Sequence, residues 1–335
     1  MLEETYAKLE AGTLDRDRYA ELESVRVGIE ECHRSDMLKW KQLSKTHWLQ
    51  DIDNNTRFFH SYASTPKWHN MIKRLRDEEG MWKEQEEDIQ GILLRYFRDI
   101  FTSSGPSDSE LNEVLALIQP WVSLEMNQVL AAPFTATEVK SAIFVMFPFK
   151  FPGPNGIPPF QSAFIHGRLI TDNVLLAFEL NHYIQGSRQS KGECIALKLD
   201  MSKAYDMVEW AFLRGTLLRL GFNHRFVGFI MLLVSTVSYS LTLNGNQFGY
   251  FFPERGIRQG DPLSPYMFIF YAGVFSCMLQ DAELWGQLTG VTVARQAPRV
   301  SHLLFADDTL VFCKASLEDI SEIGWILRCY AQASG

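Results

Sequence analysis

The sequence predicts an α+β protein with a mainly helical first part, residues 1–150, and a mixed second part, residues 151–335. Apolar residues recur at helical spacing in the first part, whereas short apolar runs and helical stretches alternate in the second. Residues 151–159 are too rich in Pro and Gly for regular structure, so the domain boundary is placed at 150.

Four helices are predicted in the first part. Residues 17–33 and 88–101 have the apolar spacing of amphipathic helices. Residues 109–118 predict a third helix, which follows a polar, turn-rich linker over 102–108. Thr135-Ala-Thr-Glu138 has the form of a capping box and predicts the start of a fourth.

The second part is predicted to begin its regular structure with a strand over 194–199 that ends at Asp200. Helical spacing from residue 202 to Leu220 predicts a helix that Gly221 closes. Residues 239–248 predict a hairpin whose turn is Asn244-Gly245.

Two further elements follow. Ser264-Pro265 is interpreted as an N-cap with Pro at the first helical position, and it opens an apolar helix to about Leu279. Residues 303–305 and 309–312 are two short strands separated by Ala306-Asp-Asp308.

Composition narrows the class of protein. With 46% hydrophobic and 21% charged residues, the chain is neither collagen-like nor wholly disordered. The longest apolar run, 226–237, is shorter than the roughly 20 residues of a membrane span, and the N-terminus has no signal-peptide pattern. We expect a chain of the cytoplasm or nucleus that is not secreted and has no membrane partner. Five scattered cysteines predict buried, reduced thiols.

The charge balance does not indicate nucleic-acid binding. The net charge is −8, and residues 1–150 carry 18 Lys and Arg against 25 Asp and Glu. Nucleic-acid binders usually show a basic footprint, so any such function must rest on local motifs. One local candidate is 67–76, where four basic residues accompany Trp68 and His69; a solvated helix face explains it nearly as well.

Paired carboxylates are the strongest chemical signal. Asp307 and Asp308 lie between two apolar strands, where adjacent like charges require a counter-ion. An Asx-rich turn would explain the pair alone, but Asp200 also ends a strand, and neighbouring strands of one sheet could bring it beside Asp307. Such carboxylates could hold two divalent ions for phosphoryl transfer.

A glycine-containing segment, residues 255–265, is the third element. Gly256 and Gly260 are expected to let the backbone approach a ligand closely before a helix begins. Taken alone, the segment could be an ordinary glycine turn. Together with the carboxylates that precede and follow it in the chain, the segment is a far more specific indication of a functional site than it is alone.

These segments resemble motifs A, B and C of reverse transcriptases, most closely those of the non-LTR (LINE-type) retrotransposons of plants. The three are Leu197-Lys-Leu-Asp-Met-Ser-Lys-Ala-Tyr-Asp206, Gly256-Ile-Arg-Gln-Gly-Asp-Pro-Leu-Ser-Pro265 and Phe305-Ala-Asp-Asp308. The similarity extends to 161–173 and 300–304, and to 48–60 and 152–156 in the first part. It implies an incomplete right-hand polymerase palm, an antiparallel sheet with helices, after a linker region that follows an endonuclease in the family.

The resemblance also implies catalytic roles. Asp200, Asp307 and Asp308 would be the catalytic carboxylates, with Asp200, Asp307 and the Met201 carbonyl as ligands of two Mg²⁺ ions, or alternatively Mn²⁺. The implied partners are an RNA template, a DNA primer and deoxynucleoside triphosphates, and the oligomeric state is left open.

Substrate contacts are implied at four further positions. Tyr205 falls where the family keeps an aromatic gate against a 2′-hydroxyl, although it could be a core aromatic. Arg258, Gln259 and Gly260 fall in the segment over the incoming nucleotide and template, although a solvated glycine turn would look the same. Asp206, with Lys203, is expected to open the helix after motif A and to be structural.

The sequence departs from the family at Asn155 and Met207, where relatives usually carry Asp and Arg, and more clearly at a missing internal segment. Phe160 directly precedes Gln161, where relatives carry a long segment with basic fingers motifs. The chain also ends before the last palm motifs and the thumb. We therefore expect an internal deletion, either in the element or in the gene model, and a defective enzyme.

Three functions remain open from the sequence. The first is an RNA-directed DNA polymerase module. The second is a catalytically dead remnant that at most binds nucleic acid or protein. The third is another two-metal enzyme, such as a nuclease. It is less favoured because Tyr205 and residues 256–265 have no obvious role in such an enzyme.

Overall fold

The computed structural model describes residues 71–133, 135, 161–163, 168–186, 193–294 and 297–335. The chain divides into two compact units, one of residues 1–85 with 243–245 and one of residues 86–242 with 246–335. The helix predicted over 17–33, the helix predicted after Thr135 and the boundary predicted at 150 lie outside the described residues.

In the first unit, a short hairpin joins β1 (Leu75–Arg76) to β2 (Trp82–Lys83). The Asp77 carboxylate accepts the backbone N–H of Met81 at 2.8 Å and so closes the turn. The guanidinium groups of Arg74 and Arg76 lie 4.4 and 4.7 Å from the ring centroid of Trp82. The end of the basic segment 67–76 is therefore a strand, and the helical alternative is wrong there.

The second unit contains the remaining described elements. They are α1 (Glu86–Phe101), α2 (Asp108–Leu115), α3 (Leu124–Ala131), α4 (Ile170–Gly186), β3 (Cys194–Asp200), α5 (Trp210–Arg219), α6 (His224–Ser235), β4 (Tyr239–Leu243), β5 (Asn246–Phe251), α7 (Ser264–Leu284), β6 (His302–Phe305), β7 (Asp308–Lys314) and α8 (Leu317–Ser334). The tip of the β4–β5 hairpin, residues 243–245, belongs to the first unit. The described strands pair in antiparallel fashion, so the predicted α+β class is confirmed.

A three-stranded sheet, in the order β3-β7-β6, lies between two apolar cores. Alternate residues of β3 and β7, such as Leu197 and Val311, belong to the larger core with α5, α7 and α8. Phe312 points to the smaller core, which includes Leu180 of α4. On that same second face, Lys198 and Asp200 are exposed at the far end of β3.

Helix α7 is the central helix of the larger core, and most of its residues are buried. Its 21 residues are long and apolar enough to cross a membrane, but 67% of its apolar window is buried inside the protein, as in a core helix. The prediction of Ser264 as N-cap is wrong. Leu263 occupies that position, and the helix continues five residues beyond the predicted end at Leu279.

Several other predictions are confirmed. Helix α1 matches the prediction, α2 begins at a capping box between Ser107 and Glu110, and Gly221, with φ +97°, follows the end of α5. The turn residues Asn244 and Gly245 both have positive φ, as the hairpin requires. Four described helices, α3, α4, α6 and α8, are not predicted by the sequence.

Two predictions are wrong. The helix predicted from residue 202 begins only at Trp210, because Lys203 has φ +51° and its carbonyl accepts the N–H groups of Asp206 and Met207 in a turn. Asp206 therefore does not open a helix. Among the described cysteines all are free thiols, but only Cys313 is buried; the others are half-buried.

Candidate active site at the end of the sheet

The sheet brings two of the three predicted carboxylates face to face. Asp200 at the end of β3 is the direct partner of Asp308 at the start of β7. Directly opposite residues of an antiparallel pair project to the same face, and here both side chains are exposed. The sequence predicts Asp307 beside Asp200, but Asp307 lies one residue earlier, half-buried in the turn.

This turn is strained. Phe305 pairs with Asp308, so Ala306 and Asp307 alone connect β6 to β7. Ala306 has φ +53°, a conformation that costs a non-glycine residue about 1–3 kcal/mol. Strain of this kind persists only where surrounding contacts fix the backbone. The position of Asp307 is thus set by contacts outside the hairpin itself.

Among the described residues, the exposed carboxylates have a close cation in Lys198. The ammonium of Lys198 lies 3.1 Å from a carboxylate oxygen of Asp308, and the two side chains are 68% and 52% exposed. An ion pair this exposed contributes less than about 1 kcal/mol. Like charges directly opposite on a sheet repel, so the pair of Asp200 and Asp308 favours the arrival of a further cation.

These residues fit a divalent metal ion that takes part of its ligands from substrate. Across the residues that the structure describes, no three or more His, Cys, Asp or Glu side chains come together to enclose a metal ion. Carboxylate oxygens are nonetheless the donors that Mg²⁺ prefers, and Mg²⁺ usually keeps water and phosphate ligands beside one or two carboxylates. The assignment of Asp200, Asp307 and the Met201 carbonyl as direct ligands stays a prediction.

Tyr205 lies near this end of the sheet. Its ring stacks on Phe268 of α7 with centroids 4.9 Å apart and an interplanar angle of 11°. Burial raises the pKa of its hydroxyl, and the negative charge of Asp307 raises it further. The stacking agrees with the core-aromatic alternative, while proximity to Asp307 is compatible with the gate, which stays a prediction.

The segment of motif B is bound to the loop of motif A. The N–H groups of Gly256 and Ile257 donate to the carbonyls of Val208 and Tyr205, both at 2.8 Å. Gly256 has φ +93°, and a Cβ there would lie 2.6 Å from the Asp206 carbonyl oxygen. Gly256 therefore permits close contact within the chain, and its approach to a ligand stays a prediction.

The substrate-binding residues predicted just after Gly256 are exposed. Arg258, Gln259 and Gly260 lie between the buried residue Ile257 and the first turn of α7, and a Cβ at Gly260 would meet open space. The Asp261 carboxylate accepts the N–H of Leu263 at 2.9 Å and helps to start α7. The three residues are accessible to a ligand, and their roles stay predictions.

A buried ion pair behind the site was not anticipated from the sequence. Glu209 and Arg255 approach to 3.3 Å with side chains only 1% and 9% exposed. Glu209 also accepts the hydroxyl of Ser103 at 2.7 Å and the N–H of Ser104 at 2.8 Å, and Arg255 donates from Nε to the Ile100 carbonyl at 2.7 Å. The pair joins the C-terminal end of α1 to motifs A and B. The partners are 46 residues apart, and no sequence spacing signals such a contact.

Asp206 also has a structural environment. Burial raises the pKa of its carboxyl group, and the positive charge of Lys203 opposes that effect. Its backbone N–H donates to the Lys203 carbonyl at 2.9 Å. The prediction that Asp206 is structural agrees with this turn, although the turn is not a helix start.

Comparison with known proteins points to one family. A family model described as reverse transcriptase (RNA-dependent DNA polymerase) matches residues 141–335. An uncharacterized mitochondrial protein of Arabidopsis thaliana is 51% identical over 67 residues, which cover 20% of this chain and 55% of that protein. The uncharacterized 149 kDa protein of transposon TX1 from Xenopus laevis is 31% identical over 178 residues, or 53% of this chain and 13% of that protein.

A third relative comes from an insect element. The retrovirus-related Pol polyprotein from type-1 retrotransposable element R2 of Popillia japonica is 31% identical over 150 residues, or 44% of this chain and 20% of that protein. The chain thus spans between 13% and 55% of the length of these three relatives.

Proposed function

The chain belongs to the reverse transcriptase (RNA-dependent DNA polymerase) family, and on that premise we propose that Asp200, Asp307 and Asp308 are the catalytic carboxylates of a LINE-type element of plant origin. The relatives from R2 and TX1 elements support the LINE type. One observation carries the proposal: the sheet register places Asp200 opposite Asp308, one residue after the turn that holds Asp307.

The proposed chemistry follows from oxygen donors that lie at one end of the three-stranded sheet. Asp200, Asp307 and the Met201 carbonyl would hold two Mg²⁺ ions, or Mn²⁺, which when bound lower the pKa of the primer hydroxyl and neutralise the leaving pyrophosphate. Asp308 is paired with Lys198, whose ammonium remains available to the phosphates of a triphosphate because it is 68% exposed. The chain's own carboxylates therefore fix where a phosphoryl group reacts.

The substrates are an RNA template, a DNA primer and deoxynucleoside triphosphates. Tyr205, held by its stacking on Phe268, would lie under the sugar and exclude a 2′-hydroxyl. Arg258, Gln259 and Gly260 are exposed just before α7 and would contact the nucleotide and the template. The hydrogen bonds of Gly256 and Ile257 to the motif A loop hold these contacts beside the aspartates.

We further propose that this chain alone polymerises poorly or not at all. Phosphoryl transfer depends mostly on positioning and charge stabilisation, and the basic segment that relatives carry between the equivalents of Phe160 and Gln161 is absent from the sequence. The catalytic carboxylates are present, so the defect lies in substrate binding. The alternative is a remnant that at most binds nucleic acid or protein.

Primer extension on a primed RNA template tests both statements. We expect weak or no product from the purified chain and restored synthesis once the fingers segment is inserted between Phe160 and Gln161, with that synthesis lost on Asp308→Ala. Synthesis that persists in Asp308→Ala would contradict the assignment of the carboxylates. Processive synthesis by the 335-residue chain would contradict the proposed defect. Metal-dependent cleavage without synthesis would favour a nuclease.

A further inference from the structure

Gln161 lies against the turn that carries the aspartates, and the proposed function gives it no role. Gln161 is only 2% exposed, and its backbone forms a parallel bridge with Leu304 of β6. The N–H of the next residue, Ser162, donates to the Leu304 carbonyl at 3.2 Å. Residues 161–163 therefore extend the edge of the sheet next to the strained turn.

The side-chain carbonyl of Gln161 makes two hydrogen bonds. Oε1 accepts the N–H of Ala306 at 3.2 Å and the N–H of Ala163 at 2.9 Å. Ala306 is the residue with φ +53° that precedes Asp307, and it is 7% exposed. A buried N–H without an acceptor is unfavourable, so this bond favours the left-handed conformation of Ala306 over alternatives that would turn its N–H away.

We propose that Gln161 is a positioning residue that holds Ala306 in its left-handed conformation and thereby fixes the direction in which Asp307 and Asp308 leave the turn. Gln161 acts through the backbone and does not touch the reacting atoms. The role deepens the proposed function and rests on it, since a fixed direction matters only if the aspartates bind a metal ion or a substrate.

The neighbouring residue supplies a matched control. The Ser162 hydroxyl is buried and has no hydrogen-bond partner among the described residues, and the same is true of Nε2 of Gln161. Removal of the Ser162 hydroxyl thus disturbs the same sheet edge without removing a hydrogen bond. Among the polar side-chain atoms of Gln161, only Oε1 has partners, and Gln161→Met removes it at nearly constant volume.

Amide hydrogen exchange of the intact chain tests the proposal without any activity. In the wild type, the amide of Ala306 should be protected to the same degree as the amides of β6. Gln161→Met should accelerate its exchange about tenfold or more relative to Leu197 of β3, while Ser162→Ala should leave it near the wild-type rate. An unprotected Ala306 amide in the wild type would overturn the proposal, and so would equal rates in Gln161→Met and Ser162→Ala.

Titration with Mn²⁺, followed by electron paramagnetic resonance, gives a second readout. We expect several-fold weaker binding in Gln161→Met than in Ser162→Ala. Equal Mn²⁺ affinity in Gln161→Met and Ser162→Ala would overturn the positioning role. A wild type that does not bind Mn²⁺ would contradict the proposed metal site, and the exchange rates would still decide the role of Gln161.

Discussion

Two ion pairs of similar length involve residues within or just after the motif A segment, and they differ in burial. Glu209 and Arg255 are 3.3 Å apart and almost fully buried, whereas Lys198 and Asp308 are 3.1 Å apart and more than half exposed. The buried pair has further hydrogen-bond partners at Ser103, Ser104 and Ile100. The exposed pair faces a third charge, Asp200, across the sheet.

The difference indicates separate tasks for the two pairs. Burial removes water from both charges, so each remaining partner of Glu209 and Arg255 is essential to the fold. At the exposed pair, water can replace either partner with little loss, which leaves the Lys198 ammonium free to exchange Asp308 for a substrate phosphate. We infer that the buried pair stabilises the fold around the site. The exposed pair, in contrast, takes part in binding at the site.

Loss of one buried partner should have the largest effect. Glu209→Leu leaves the Arg255 guanidinium buried and uncompensated, and we expect the free energy of unfolding to fall by about 3–5 kcal/mol. Lys198→Met, the matched change at the exposed pair, should lower it by less than about 1 kcal/mol. Urea denaturation measures both. Similar losses in the two variants would remove the distinction between the pairs.

The stability of the protein should also depend on pH, because a histidine is buried in the core. His302 is fully buried in β6, with Nε2 2.6 Å from the Ser276 hydroxyl, and burial lowers its pKa to about 3. Between that value and the unfolded pKa of about 6.5, the unfolded state binds more protons, so stability is complete above pH 6.5 and falls as the pH decreases. We expect a loss of about 2 kcal/mol between pH 6.5 and pH 5.

Thermal or urea unfolding over this pH range is the measurement, with His302→Gln as control. The variant lacks the titrating group, so its stability should change less with pH over the same interval. If the wild type and His302→Gln show the same pH dependence, the contribution of the buried imidazole is refuted.

Removal of one exposed carboxylate should have the smallest effect, with the opposite sign. Asp200→Asn abolishes the repulsion between residues 200 and 308, and we expect the metal-free protein to gain about 0.2–1 kcal/mol in unfolding free energy. High salt should diminish the gain because it screens exposed charges. A loss of stability in the metal-free variant would mean that Asp200 makes stabilising contacts beyond the repulsive pair.

Much of the site region was predictable from local patterns, and the rest depends on geometry that those patterns do not contain. The strand that ends at Asp200 and the turn at Asn244-Gly245 follow from apolar runs and turn residues. The turn at Lys203 was missed, because apolar spacing continues through it and does not report a positive φ. The sequence predicts Asp307 beside Asp200, whereas the residue paired with Asp200 is Asp308, one position later. The register depends on a turn of only two residues, and the sequence pattern does not fix the length of that turn.

Contacts between distant segments were the least predictable. Glu209 and Arg255 look like ordinary surface charges in the sequence, and only the packing of α1 against the motif B segment buries them. Gln161 stood out through family resemblance alone, without any physical role. Its contact with Ala306 spans 145 residues.

The most direct test of the central claim is Mn²⁺ binding to the purified chain, followed by electron paramagnetic resonance in the wild type, Asp200→Asn, Asp307→Asn and Lys198→Met. If Asp200 and Asp307 hold the metal ion at the end of a polymerase palm, the wild type binds Mn²⁺, both Asp variants lose at least tenfold in affinity, and Lys198→Met binds as tightly or more tightly because a competing cation is gone. Equal affinity in the wild type and in both Asp variants would contradict the account.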